Sequence, residues 1–257
     1  MNLAALDFSI LWPAFAAGLL VTLTHVPLGM QVLRRGIVFI DLAIAQIAGL
    51  GVIFADFVGF EPQGWAVQGF ALLAALAGAL LLTWTDKRWP EVQEALIGVS
   101  FVLAASGALL LVASNPHGNE HLKELLVGQI LWVSPAKLAL VSLVYAALMG
   151  IFFARGRDIG RIGFYLVFAC VVTISVQLVG LYLVFTTLIV PALATRHAVR
   201  GRVMMGYALS ATGYALGLVV STLTDLPSGP AIIWVMTMIA IAAYVLFGKR
   251  RQRIAAS

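Results

Sequence analysis

Eight long apolar stretches dominate this chain and leave little sequence between them. They cover residues 9–33, 37–60, 65–85, 95–114, 136–154, 164–195, 203–223 and 230–248. A helix that crosses a bilayer needs about 20 apolar residues, so each stretch is long enough for one crossing and the sixth could fold back as a hairpin. The apolar runs are continuous rather than alternating, which indicates helices and not the strands of a barrel. We therefore predict an all-α, polytopic integral membrane protein with about eight or nine transmembrane helices.

The composition excludes a soluble protein. Of the 257 residues, 62% are hydrophobic and only 11% are charged, whereas soluble domains have roughly 25% charged residues. A soluble fold of this length could not hide so much apolar surface, so a cytosolic enzyme and a secreted module are both excluded. The loops are too short to form a second domain. The sequence thus predicts a single transmembrane domain over residues 1–257.

The basic residues indicate how the helices are oriented. Of the 16 lysines and arginines, all but Lys123 and Lys137 can be placed on one side of the membrane, and this side is expected to be the cytoplasm. The N-terminus then lies outside and the C-terminus inside. This topology requires residues 163–195 to cross twice, so one arm should be short or broken, with Gly180 and Pro191 as candidate breaks. The net charge of +5 is explained by the basic residues of these cytoplasmic loops, and it does not indicate nucleic-acid binding.

No catalytic motif accompanies these helices. The chain has no G-x-x-x-x-G-K-[ST] sequence, so it cannot hydrolyse ATP with a P-loop, and it has no G-x-S-x-G nucleophile elbow. Its one cysteine, Cys170, lies in an apolar stretch and offers neither a disulfide nor a cysteine metal cluster. The chain is therefore not expected to be an enzyme, and any ATP-driven transport would need a separate ATPase subunit.

Asp41 is the most informative single residue because it is a carboxylate in an apolar stretch. It lies six residues after the pair Arg34 and Arg35, about 9 Å along a continuous helix. A carboxylate costs about 2.5–3.5 kcal/mol at mid-bilayer on insertion scales, so such acids usually face a pathway or a partner. The alternative is an ion pair with one of the two arginines near the inner interface. Gln46 follows five residues later, about 140° round the helix, and need not share the face of Asp41.

Histidines supply the other candidate metal ligands. In a predicted outer loop, His117, Glu120 and His121 stand at i, i+3 and i+4, on one face if the segment is helical. Zinc binds histidine and carboxylate side chains. The sequence of residues 117–121 also matches the H-x-x-E-H pattern of zinc proteases. A solvated polar loop and a site of transient divalent-cation capture are the alternatives. His25, in the first apolar stretch, is either a hydrogen-bond partner of a neighbouring helix or a group of the pathway.

Four segments, taken in chain order, carry a resemblance to a known family. They are PLGMQVLRR at residues 27–35 with Asp41 after it, LLVGQIL at 125–131, SVQLVGLYLVFTTLIVPALAT at 175–195 and LPSGPAII at 226–233. These segments resemble PLG…RR…GDALSH, LFGDIL…S…DL, VVGVLLVSALLIIPAATA and DLPTGPAIV in the membrane subunits of bacterial zinc/manganese ABC importers. The resemblance spans the apolar part of the chain from end to end, in the right order.

This resemblance implies an architecture and a set of partners. It implies a homodimer of permease subunits with two cytoplasmic ABC ATPases and an extracytoplasmic metal-binding protein, in the bacterial cytoplasmic (inner) membrane. The segment with Arg196, Arg200 and Arg202 would contact the ATPase, although it is equally suited to anionic membrane lipid. The cargo would be a divalent transition-metal ion that binds only transiently, so no permanently bound cofactor is expected.

One position departs from the family pattern. The family has a histidine four residues after the aspartate, and both are implicated in the metal pathway, whereas here Ala45 occupies that position with Gln46 beside it. The role of the aspartate carries over to Asp41, and that of the histidine does not. Either His25 or the loop at 117–121 compensates, or the ion is handled differently. Zinc is the favoured cargo, with manganese and iron as alternatives.

Other functions stay open at this point. A secondary carrier would couple transport to protons or sodium through Asp41. A membrane metalloenzyme would use His117, Glu120 and His121, and a related importer would carry iron chelates through a wide cavity. These functions differ in a measurable way, because transport by a secondary carrier would persist without an ATPase partner.

Overall fold

The computed structural model describes residues 8–60, 64–112, 130–155, 159–198 and 200–255. In these residues the secondary structure consists of nine α-helices and two 3₁₀ turns, without a β-strand. The helices are α1 (Phe8–Arg35), α2 (Ile40–Phe57), α3 (Trp65–Arg88), α4 (Gln93–Val112), α5 (Pro135–Arg155), α6 (Gly160–Val179), α7 (Leu181–Ala194), α8 (Arg202–Thr224) and α9 (Ser228–Ala255). The all-α prediction is confirmed, and each apolar stretch overlaps with one helix, or with two for residues 164–195.

Most of these helices have the character of membrane spans. Six of them, namely α1, α2, α3, α5, α6 and α8, are long and apolar enough to cross a membrane. The helix α7 (Leu181–Ala194) is apolar but shorter, and the segment Ser228–Tyr244 of α9 is also apolar. These helices agree with the predicted multi-pass protein of about eight or nine transmembrane helices.

The end of α1 is explained by its last residues and the glycine after them. Arg34 and Arg35 occupy the last turn, where cations interact favourably with the negative end of the helix dipole. The next residue, Gly36, has a φ of 69°, which glycine adopts without the steric cost of a side chain. The chain therefore turns here, and α2 begins only at Ile40.

The apolar stretch 164–195 is interrupted at Gly180. This residue has a φ of 88° and a ψ of 156°, a region that is essentially open to glycine alone. Before it, α6 has 20 residues, whereas α7 after it has only 14. The prediction of one short arm is thus confirmed. Pro191, the other candidate break, lies inside α7, where a proline removes one backbone hydrogen bond without ending the helix here.

The chain forms two compact units. Unit 1 comprises Met1–Arg35, Gln129–Leu140 and Tyr182–Ser257, and unit 2 comprises Gly36–Gly128 and Val141–Leu181. Unit 1 thus contains α1, α8, α9 and nearly all of α7, and unit 2 contains α2, α3, α4, α6 and most of α5. The single transmembrane domain over residues 1–257 stays a prediction.

Small residues let the helices of unit 1 approach closely. A Cβ atom on Gly217 of α8 would lie 2.4 Å from the Cα atom of Ile232 in α9. A Cβ atom on Gly29 of α1 would lie 1.9 Å from the carbonyl oxygen of Leu188 in α7. Any side chain at either position would collide with the backbone of the neighbouring helix. Close approach of this kind drives helix association in a membrane, where lipid is as apolar as the helix surface.

In unit 2, α2 packs against α3, α4 and α6. A Cβ atom on Gly51 of α2 would lie 2.7 Å from the carbonyl oxygen of Phe70 in α3, so these two helices also meet at backbone distance. The hydroxyl groups of Tyr145 in α5 and Ser175 in α6 form a buried hydrogen bond. Because three helices surround α2, most of its side chains are buried, including Ile40 and Asp41 of its first turn.

Candidate ion site at the start of α2

Asp41 is the second residue of α2 and lies in its first turn. The expected depth of about 9 Å along a continuous helix is therefore wrong. The physical reason is the turn after α1, in which Gly36 has a positive φ and the Ile40 N–H donates to the Ile37 carbonyl at 3.2 Å. The side chain of Asp41 is nevertheless fully buried.

The carboxylate of Asp41 has no balancing partner among the described residues. Both oxygens, Oδ1 and Oδ2, are buried, and neither accepts a hydrogen bond from an arginine or from any other described group. The nearest favourable groups are the backbone amides of Asp41 and Leu42, which carry only the partial positive charge of a helix N-terminus. An unpaired buried carboxylate costs several kcal/mol. This position therefore favours the binding of a cation or a proton.

Glu94, in the first turn of α4, is the neighbour that sequence reasoning missed. The backbone N–H of Phe39, the residue before α2, donates to Glu94 Oε1 at 3.2 Å. The other oxygen, Oε2, is buried and has no hydrogen-bond partner in the described part of the chain. Glu94 is also close enough to Asp41 for the two charges to repel each other. From the sequence alone, Glu94 is predicted to be the last residue of an inner loop. Its position at the edge of an apolar stretch is the only sequence feature that could have indicated a functional role.

Gln93 fixes the start of α4 within unit 2. Its Nε2 donates to the carbonyl oxygen of Leu82 in α3 at 2.9 Å and lies 3.4 Å from the Tyr165 hydroxyl in α6. Gln93 is itself buried, so water does not compete for these bonds. The first turn of α4, and Glu94 with it, is thereby held against α3 and α6.

The first turns of α2 and α4 together present three carboxylate oxygens without partners among the described residues, namely Asp41 Oδ1, Asp41 Oδ2 and Glu94 Oε2. Carboxylate oxygens suit manganese and also bind zinc. The described residues contain no group of three or more histidine, cysteine, aspartate or glutamate side chains that could hold a metal ion. A site with so few protein ligands suits an ion that must be released better than an ion that stays bound.

His25 belongs to unit 1, where its imidazole is fully buried in α1. Nδ1 lies 3.0 Å from the Val21 carbonyl oxygen and 2.9 Å from Thr24 Oγ1. Because a carbonyl only accepts, this contact assigns the proton to Nδ1. Nε2 then keeps a lone pair that is buried and has no hydrogen-bond partner among the described residues. Metal-binding histidines commonly donate their other ring nitrogen to a carbonyl in this way, so His25 retains the features of a ligand.

Comparison with known proteins places the chain in a family. The sequence profile of the ABC 3 transport family matches residues 7–164 and 157–247, which together make up most of the chain. This chain belongs to the ABC 3 transport family. The match confirms the resemblance to the membrane subunits of metal-ion ABC importers that the four sequence segments predict.

Two relatives of this ABC 3 family member align over nearly its whole length. An uncharacterised membrane protein of Synechocystis is 27% identical over 264 residues, which cover 94% of this chain and 91% of that protein. The high-affinity zinc uptake system membrane protein ZnuB of Haemophilus influenzae is 23% identical over 248 residues, which cover 88% of this chain and 93% of that protein.

Two solved structures share its fold. PsaBC from Streptococcus pneumoniae, in complex with Fab, matches with a TM-score of 0.73 and 17% identity over 93% of this chain and 92% of that chain. An inward-facing ABC transporter of metal-chelate type matches with a TM-score of 0.63 and 15% identity over 94% of this chain and 85% of that chain. At these identities the likeness shows the fold alone.

Two of the three predicted coupling arginines of this ABC 3 permease are engaged inside unit 1. Arg196 donates to the Tyr244 hydroxyl in α9 at 3.2 Å, and its guanidinium lies 5.5 Å from the centre of the same ring. Arg202 donates to the carbonyl oxygen of Ala192 in α7 at 3.0 Å. Arg200 is exposed, as is Arg196, whereas Arg202 is partly buried. Arg196 and Arg202 thus tie the α7–α8 connection to its neighbours, and Arg200 offers its charge to solvent.

The other predicted ligands lie on another face of α2 or outside the described residues. Gln46 is buried in α2, five residues after Asp41, and thus about 140° further round the helix. His117, Glu120 and His121 lie outside the described residues. The metal-binding roles of these four residues stay predictions.

Proposed function

We propose that this chain is the membrane-spanning subunit of an ATP-driven importer of a divalent transition-metal ion. The observation that carries the proposal is the buried carboxylate of Asp41, whose oxygens have no partner among the described residues, in a chain of a transport family. A charge of this kind is expensive inside a membrane protein, and it is usually retained because it serves an ion pathway. The bound metal ion would supply the positive partner that the Asp41 carboxylate lacks among the described residues.

Zinc is the favoured cargo, with manganese and iron as alternatives. A relative with 23% identity is named as the membrane protein of a zinc uptake system, and the buried Nε2 of His25, which no described group uses, is a nitrogen of the kind that zinc accepts. Two features support the alternatives. Carboxylate oxygens also suit manganese, and Ala45 stands in α2 where the resembled family has a histidine.

Import requires that the ion is first held and then released. A closed cage of four ligands, as in structural zinc sites, would hold the ion too tightly. Asp41 offers carboxylate oxygens that attract the ion, whereas the positive end of α2 on which they lie opposes a cation and so favours its release. The proposed cycle is alternating access in a dimer of this chain, driven by ATP hydrolysis in partner subunits.

The proposal assigns the other tasks of import to separate chains. Because the sequence has no P-loop, two cytoplasmic ABC ATPases would supply the energy, and an extracytoplasmic protein would deliver the metal. Two copies of this chain in the cytoplasmic membrane, with their N-termini outside, would form the passage within the lipid. The α7–α8 connection, with Arg196, Arg200 and Arg202, is the proposed contact with the ATPase.

Replacement of Asp41 by asparagine tests the proposal. Asp41→Asn keeps the size of the side chain and removes its charge, so uptake of radioactive zinc and manganese by cells that hold all partner subunits should be lost. The amount of folded protein in the membrane should be unchanged, because no described group depends on this carboxylate as a partner.

Asp225→Asn is the matched control for this experiment. Asp225 is an exposed acid at the end of α8 with a φ of 56°, and asparagine tolerates this conformation. This variant should import metal normally. Full metal-dependent uptake by Asp41→Asn, at normal levels in the membrane, would overturn the assignment of Asp41.

Removal of the ATPase separates the proposed importer from the other functions. Import should stop, whereas a secondary carrier coupled to protons or sodium through Asp41 would continue and would fail only with an ionophore. Replacement of His117 and His121 adds a second distinction. A metalloenzyme would lose its activity, while an importer should keep its function or lose only affinity.

A further inference from the structure

The two oxygens of Glu94 have different surroundings. Oε1 accepts a hydrogen bond from the Phe39 N–H at 3.2 Å, just before the start of α2. Oε2 is buried and has no hydrogen-bond partner among the described residues. A glutamate whose only task was to cap α2 would need the first oxygen, and the second would gain from contact with water. The burial of Oε2 therefore calls for another explanation.

Asp41 lies two residues after Phe39, and it too has buried carboxylate oxygens without hydrogen-bond partners among the described residues. Its side chain is fully buried, and both of its oxygens are without partners in the described part of the chain. The N-terminus of α2 contributes roughly half a positive charge, which cannot balance two carboxylates that repel each other. A divalent cation would neutralise both at once, and it would satisfy the three carboxylate oxygens with bonds that such oxygens form readily.

We propose that Glu94 is a second ligand of the transported divalent cation, which Asp41 and Glu94 hold together between the first turns of α2 and α4. This inference rests on the proposed import function and deepens it. Glu94 Oε1 keeps its bond to the Phe39 N–H, and Oε2 contacts the ion together with the oxygens of Asp41. Gln93, bonded to Leu82 and close to the Tyr165 hydroxyl, keeps the first turn of α4 in place when the ion leaves.

Two substitutions separate a ligand from a helix cap. Glu94→Gln retains an oxygen that can accept from Phe39 and removes the charge, whereas Glu94→Ala removes both. The loss of an outer-shell partner already weakens metal affinity by roughly 10- to 100-fold. We therefore expect Glu94→Gln to raise the half-saturating concentration of Zn²⁺ or Mn²⁺ for uptake by roughly tenfold or more, while the melting temperature without metal does not fall below that of the parent.

Metal-dependent stability provides a readout besides transport. Because a ligand that binds only the folded state raises its stability, added Mn²⁺ or Zn²⁺ should raise the melting temperature of the purified full chain in detergent. This rise should be lost in Glu94→Gln. Glu91→Gln is the matched control, since Glu91 is an exposed acid in the 3₁₀ turn just before α4, and it should behave like the parent chain.

The outcomes distinguish this inference from the proposed function. If Glu94→Gln keeps the metal dependence of the parent and only Glu94→Ala is unstable, then Glu94 is a cap and the inference is overturned. If Asp41→Asn is inactive in that same comparison, the import function still stands. Normal import by Asp41→Asn would overturn the site as a whole.

Discussion

Asp41 and His25 show two ways of burying a polar side chain in a membrane protein. His25 satisfies Nδ1 within its own helix, at the Val21 carbonyl, and leaves one lone pair that no described group uses. Asp41 leaves both of its oxygens free of any described partner. Buried polar atoms without partners cost free energy, so residues of this kind are retained where the atom has a use. In this chain the use that we propose for both is contact with the cargo.

Replacement of His25 by alanine should weaken metal uptake by roughly tenfold or more. The substitution removes the Nε2 lone pair, which no described group of unit 1 uses. The half-saturating concentration of zinc in an uptake assay measures the effect. Thr24→Val is the control, because it removes the hydroxyl that lies 2.9 Å from Nδ1 but leaves the imidazole and its bond to Val21. Equal losses in both variants would show that the imidazole has only a structural role.

At the scale of the helices, a single glycine separates α6 from α7. With φ at 88° and ψ at 156°, Gly180 occupies a region in which any other residue is strained by about 1–3 kcal/mol. We therefore expect Gly180→Ala to lower the melting temperature of the chain in detergent.

The control for this prediction is a glycine inside a helix with free space around it. At Gly150 of α5, an added Cβ atom would meet no other atom within 4 Å, so Gly150→Ala should be neutral or stabilising by roughly 0.5–1 kcal/mol. A Gly180→Ala chain as stable as Gly150→Ala would show that the break between α6 and α7 does not depend on the positive φ.

In the proposed function, the whole molecule forms the transport pathway, and separate ATPase subunits supply the energy. Its proposed contact with the ATPase is the connection from α7 to α8, in which Arg196 and Arg202 are engaged by neighbouring groups and Arg200 is exposed. This difference was not visible from the spacing of three similar arginines. Arg196 is exposed as well, but Tyr244 holds its side chain in place, so Arg200 is the cation that we test as the contact with a partner.

Reversal of the charge at Arg200 should therefore weaken the assembly. We expect Arg200→Glu to reduce both the co-purification of the ATPase subunit with this chain and the uptake of metal, with normal amounts of the chain in the membrane. Lys87→Glu, at an exposed position in the last turn of α3, should leave both properties largely unchanged. Normal ATPase binding by Arg200→Glu would show that the contact lies elsewhere.

Of the two acids of the candidate site, the sequence alone predicted only Asp41. Asp41 stands out because a lone charge in an apolar stretch is costly wherever the stretch is placed, and this conclusion needs no knowledge of its neighbours. Glu94 carries no such signal, since it lies at the edge of a stretch, where acids are commonly solvated. The structure brings it to α2 through a hydrogen bond from the N–H of Phe39, which is 55 residues away in the chain.

Hydrophobicity and backbone stereochemistry are local properties, and the features that depend on them were determined by the sequence itself. These features are the all-α membrane architecture, the approximate positions of the apolar helices, a short or broken arm within residues 163–195 with Gly180 and Pro191 as candidate breaks, and the family resemblance. Only the tertiary structure decided that the Asp41 carboxylate is fully buried without a described partner, and that Glu94 adds a further oxygen of this kind nearby. Burial and partnership depend on which distant segments meet, and this is settled only when the helices pack together.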